Sequence, residues 1–122
     1  MDLRTDEAKN IFYIRLTESL NKEIILDAFD AAVSDESYKK GMGRLWDFRD
    51  ADLSNLDSST IAEMAKYSTK FPPGINDVKV AFVASGELEF GLSRMFGAFS
   101  MVAETTVSVF YTIEEAEAWL SL

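Results

Sequence analysis

Between Val78 and Ala84 the chain reads VKVAFVA, and Val80 to Ala84 are apolar without alternation, the pattern of a strand covered on both faces. Ser85-Gly86-Glu87 breaks this run, with Ser85 suited to cap a following helix. From Leu88 to Ala103 a helical period gathers Leu88, Leu92, Met95, Phe96, Phe99, Val102 and Ala103 on one stripe. Phe90, Arg94, Gly97 and Met101 fall on the opposite side, where a surface helix is expected to be polar. Either a neighbouring segment covers Phe90 and Met101, or they form a contact surface for a ligand, a bilayer or another chain.

The same pattern places the other elements. Residues 1 to 5 are expected to pair with Ile11 to Leu16 across the polar turn Asp6 to Asn10, with Ile11, Tyr13 and Arg15 facing one side and Phe12, Ile14 and Leu16 the other. Asn21 is a helix cap, and the helix it opens runs to about Val33 on a stripe of Ile24, Ile25, Ala28, Phe29 and Ala32. Leu26 and Val33 lie off that stripe, so the apolar arc is broader than one packing face needs. Arg44 to Phe48 reads as a second strand after the glycine-bearing Lys39 to Gly43. Asp57 or Ser58 caps a helix to about Lys70 with Ile61, Met64, Ala65, Ser68 and Phe71 inward, and Phe71-Pro72-Pro73-Gly74 ends it. Thr106 to Tyr111 is the last strand, and Thr112 with Glu115 is a capping box for a final helix that packs Ile113, Ala116, Trp119 and Leu120. Strands alternating with helices predict an α/β fold: a mixed, mostly parallel five-stranded sheet flanked by about four helices.

At 122 residues the chain fits one domain, able to bury roughly two thirds of its unfolded surface. No apolar run approaches the roughly 20 residues of a membrane-spanning helix, and the first residues lack the basic and apolar regions of a secretory signal. A cytoplasmic location is expected, with peripheral membrane contact through an exposed apolar face as an addition. Twelve basic against 21 acidic residues give a net charge of −9, which argues against nucleic acid as a partner. With no His and no Cys, the usual zinc ligands, imidazole acid–base chemistry and thiol nucleophiles are missing. No cofactor or metal is expected, and no residue set spells a reaction.

Ligands of open α/β sheets sit outside the carboxyl ends of the strands, a rim that here collects Asp47, Arg49, Asp50 and Ser85. Asp47, Arg49 and Asp50 either hold a cation, position an anion through Arg49, or form loop ion pairs. Ser58 and Ser59, at a helix start, either cap it or accept a phosphoryl group that the helix dipole favours.

Taken together, LWDFRDADLSNLD at 45 to 57, VKVAFVA at 78 to 84, FGLSRMFGAF at 90 to 99 and VFYTIEEAEAWL at 109 to 120 resemble the bacterial SpoIIAA-like family, small stand-alone relatives of the STAS domain. The resemblance spans nearly the whole chain and implies a mixed sheet flanked by helices. It offers two functions. Similarity of the family to CRAL-TRIO lipid-binding domains implies a non-enzymatic module that takes a hydrophobic small molecule or lipid, with a movable helix that associates with membranes. Phe90, Arg94, Met101, Leu26 and Val33 are then the expected contact residues. The alternative is a regulator resembling anti-sigma factor antagonists, in which a serine of an Asp-Ser-Ser-Gly motif is phosphorylated. Here Leu56-Asp57-Ser58-Ser59-Thr60-Ile61 stands in that position, with Ser58 in the role and Thr60 in place of the glycine. The surplus apolar area also suits a homodimer or a regulatory protein partner.

Overall fold

Five strands form one sheet in the order in which the chain supplies them, β1 (Asp2–Asp6), β2 (Ile11–Arg15), β3 (Gly43–Asp47), β4 (Lys79–Val83) and β5 (Thr106–Phe110). The computed structural model describes residues 1–68, 78–84 and 106–122. β1 runs antiparallel to β2, and the remaining pairs are parallel. Three helices lie among the described residues: α1 (Lys22–Val33), α2 (Ser58–Ser68) and α3 (Ile113–Leu120). The expected helix at 88 to 103 and the Phe71-Pro72-Pro73-Gly74 stop lie outside the described residues, as do the side chains of Ile61, Met64, Ala65 and Ser68. The α/β class and the mixed, mostly parallel five-stranded sheet therefore stand, while the flanking helices number three among the described residues rather than four. None of these helices is long and apolar enough to cross a membrane.

Local chemistry accounts for the element boundaries. Asn10 turns the β1–β2 hairpin at φ 58°, a left-handed conformation that asparagine tolerates. The Asn21 side chain accepts the Ile24 amide at 2.9 Å and so opens α1. Of the two residues expected to cap α2, Asp57 does so, accepting the Thr60 amide at 2.7 Å. Thr112 accepts the Glu115 amide at 3.2 Å, while the Glu115 carboxylate accepts from the Thr112 hydroxyl at 3.0 Å rather than from its backbone amide, so the forward half of the expected box forms and the return half does not. β3 and β4 each begin one residue earlier than the apolar runs suggest, at Gly43 and Lys79, because pairing is set by the neighbouring strand rather than by hydropathy.

Register arranges the side chains in rows across the sheet. On one face run Leu3–Ile14–Trp46–Phe82–Val109 and Thr5–Phe12–Arg44–Val80–Val107. α1 packs there through Ile25, Ala28, Phe29 and Ala32, and Trp46, Phe48 and Phe82 form an aromatic cluster with centroids 5.6 to 6.3 Å apart. α2 shares this face, since Tyr67 meets Phe29 edge-on at 6.2 Å and donates to Asp30 at 2.6 Å. Thus α1 touches both the sheet and a neighbouring helix. That double contact explains its broad apolar arc, with Leu26 and Val33 both partly buried against the core.

The opposite face carries Asp2–Arg15–Asp47–Val83–Phe110 and Arg4–Tyr13–Leu45–Ala81–Ser108. α3 covers its β3–β5 end, where Ala116, Ile113, Trp119 and Leu120 meet Leu45, Ala81 and Val83. The first row therefore passes from charge at β1 through β3 to apolar at β4 and β5, and the second from Arg4 to the buried Leu45 and Ala81 beneath α3. At the carboxyl ends of β2 and β3 the following loops zip together. A parallel bridge joins Ser19 to Asp52, Leu20 donates to the Asp52 carbonyl at 2.9 Å, and Leu20, Leu53 and Leu56 are buried beneath.

Candidate functional site

Two recesses, one on each face of the sheet, take in Leu26, Asp47 and Arg49 from the candidate residues. The first is a narrow apolar hollow under α1, a cavity of about 20 Å³ lined by Ile25, Leu26, Phe29, Arg44, Trp46, Val80 and Phe82. Alternation along β3 and β4 supplies Arg44, Trp46, Val80 and Phe82, because residues two apart share a face. Helix spacing supplies Ile25, Leu26 and Phe29 from above.

Among the described residues Arg44 is the one charged residue in that wall, and it is 1% exposed. Burial pushes its guanidinium below its ordinary pKa, against the opposing hold of Tyr38. Its Nη1 donates to the Tyr38 hydroxyl at 3.0 Å, and the guanidinium carbon lies 5.2 Å from the centre of the Phe29 ring. Tyr38 is in turn fixed edge-on to Phe12 at 5.5 Å. The hollow thus has aromatic and aliphatic walls with a positioned cation. Leu26 also borders a groove between α1 and α2 lined by Lys22, Glu63, Lys66 and Tyr67, so it stands between the hollow and that groove.

The second recess is a polar groove of about 430 Å³ at the β1–β2 end of the α3 face, lined by Asp2, Arg4, Tyr13, Ile14, Arg15, Asp47, Arg49 and Ile113. Arg49 grips Asp47 at two points, Nε to Oδ1 and Nη2 to Oδ2, both at 2.9 Å, and its amide also donates to Oδ1 at 3.1 Å. Burial raises the Asp47 pKa, but these hydrogen bonds outweigh it and hold the carboxyl below its usual range. Arg15 donates to Asp50 at 2.6 Å, and Arg4 lies flat on Tyr13, 3.6 Å from the ring centre. The Tyr13 hydroxyl donates to Glu117, and burial with that bond to a carboxylate pushes the phenol far up.

Of the expected contact residues, Leu26 lines the hollow and Val33 packs against the same core. Phe90, Arg94 and Met101 lie outside the described residues, as does Ser85 of the expected rim. Asp47 pairs with Arg49 and Asp50 with Arg15, ion pairs of the kind the loop-pair alternative names. Ser59 is exposed at the start of α2, and the side chain of Ser58 lies outside the described residues. Among the described residues no three acidic side chains are placed to hold a metal ion.

Sequence reasoning missed Arg44, Arg4 and Tyr13. For Arg44 the available signal was an arginine opening a strand that is otherwise apolar. For the other two it was charge alternation in DLRTD, set against YIR on the neighbouring strand. No family model, curated protein or solved structure matches the chain.

Proposed function

We propose that this domain is a non-catalytic binding module that takes a hydrophobic small molecule or a lipid chain in the hollow under α1. The observation that carries the reading is the apolar wall of Ile25, Leu26, Phe29, Trp46, Val80 and Phe82, with Arg44 as its one charged group among the described residues. The hollow itself is about 20 Å³, so a ligand enters as α1 lifts from the sheet. Apolar walls supply affinity in such a site, and a lone polar group orients the ligand. A ligand with an apolar body and one hydrogen-bond-accepting end suits that wall. Passage between α1 and α2, past Leu26, is the route in, and peripheral contact with a membrane is one way of meeting a lipid.

Native mass spectrometry of the purified protein, before and after incubation with dodecanoate, tests this. The expected result is a bound mass that leaves on denaturation and is absent from Leu26→Trp, whose indole fills the hollow at a packing cost of about 1–3 kcal/mol. A Leu26→Trp protein that stays folded and carries the same bound mass would sink the hollow as the site.

A phosphorylation switch is the second reading, and one observation favours it. Because Asp57 caps α2, Ser58 occupies the first helical position, where a phosphoryl group would meet the unsatisfied amides and positive end of the helix. Ser58→Asp is then expected to weaken capture of a protein partner from native lysate, and equal capture by both proteins counts against it.

A further inference from the structure

We propose that the polar groove on the α3 face binds the phosphate monoester group of a second ligand, through Arg4, Arg15 and Arg49. The fold creates the opening. Among the described residues α3 covers only the β3–β5 end of its face, and beyond it the rows become Asp2–Arg15–Asp47 and Arg4–Tyr13. Three of the chain's five arginines meet there, in a protein of net charge −9. Every cation among the lining residues is arginine, which fits the planar, multi-point recognition of phosphate better than lysine does.

Each arginine is held in place by a different device. Arg4 is stacked on Tyr13, whose own hydroxyl is tied to Glu117, and it makes no ion pair among the described residues. Stacking engages the guanidinium face and leaves its edge N–H groups able to donate in plane. Arg15 pairs with Asp50, but the two side chains are 46% and 59% exposed, so an incoming anion replaces a weak, solvent-screened contact. Arg49 is oriented by Asp47 and adds positive charge at the end of β3. A dianion gains more than a single carboxylate from three guanidinium groups, which outnumber the Asp2 and Asp47 carboxylates in the lining. At about 430 Å³ the groove holds more than a bare ion, and Ile113 and Tyr13 offer apolar surface to the body of an ester.

The test is a titration of the ¹⁵N-labelled full chain with glycerol 3-phosphate and, separately, with short-chain phosphatidic acid, followed at the arginine Nε–H signals. The expected result is saturable shifts at Arg4 and Arg15, with affinity reduced about tenfold in Arg4→Gln and again in Arg15→Gln, the loss of one charge-assisted bond. Lys39→Gln, an exposed lysine outside the groove, is expected to bind as the parent does. Equal affinity for the two probes identifies a soluble ester, and tighter phosphatidic acid binding identifies a lipid headgroup; both outcomes support the site if they depend on the arginines. No saturable shift with either probe overturns the proposal, as does binding undiminished in Arg15→Gln, should Arg4→Gln fail to fold. The groove and the hollow occupy opposite faces, so the dodecanoate result and this one stand or fall separately.

Discussion

Arg44 and Asp47 are the buried charged residues among the described part of β3, and strand alternation sends them to opposite faces. Arg44 keeps its place through Tyr38 and the Phe29 ring. Asp47 keeps its charge through Arg49, and the direction of its pKa shift fixes how stability responds to acid. A carboxyl depressed in the folded state stabilises the fold above its unfolded pKa, about 3.9, and that contribution is lost as pH falls through the lower folded value. Asp47→Asn is therefore expected to unfold at lower urea than the parent at pH 7, by about 1 kcal/mol because the partner is half-exposed. The gap should close as pH falls from about 4 toward 2, and a gap that stayed constant with pH would assign the effect to packing instead. The sequence made the Asp47–Arg49 pair legible, since the two residues stand two apart at a strand end. It did not make Arg44 legible, because burial there depends on Phe29 and Tyr38 arriving from α1 and the loop after it.

The elements themselves were the most readable part of the chain. Ile11 and Tyr13 separate from Phe12 and Ile14 as strict alternation requires, and Asn21 and Thr112 sit where their side chains satisfy helix-start amides. What periodicity does not carry is which strand lies beside which. The polar half of the α3 face arises only when Asp2 and Arg4 are set against Arg15 and Tyr13, so no single segment announces it. α3 itself is short, and Ala116 is its one fully buried residue, closed in with Leu45, Ala81 and Val83. Ala116→Asp is expected to undock the helix, since an unpaired carboxylate there costs a few kcal/mol. Urea unfolding followed by circular dichroism should show an early loss of helix, while Glu114→Asp on the exposed side should leave the curve unchanged. Parallel curves for the two variants would show that α3 contributes little to the fold.

Across the whole molecule, strand order equals chain order, and the two described crossovers, α1 and α2, lie on one face. Doubly wound sheets open a crevice where strand order reverses, and β2, β3 and β4 have no such reversal. The zipped loops Glu18–Asp52 and Leu20–Asp52 close the rim where the sequence placed a site, so space is left instead beneath α1 and at the β1–β2 end of the α3 face. Fold class was readable because hydropathy sets which residues face inward. The recesses were not, because they are defined by what the described helices fail to cover.

The two tryptophans fall one on each side of the sheet. Trp46 lies among Phe48 and Phe82 in the wall of the hollow, while Trp119 rests against Phe110 at 5.6 Å with the Lys79 ammonium 5.4 Å from its ring. Each layer of the molecule therefore carries its own fluorophore. With Trp119→Phe the remaining emission comes from the hollow alone, and with Trp46→Phe from the α3 layer alone, so the two sides can be followed as independent optical channels in one small protein.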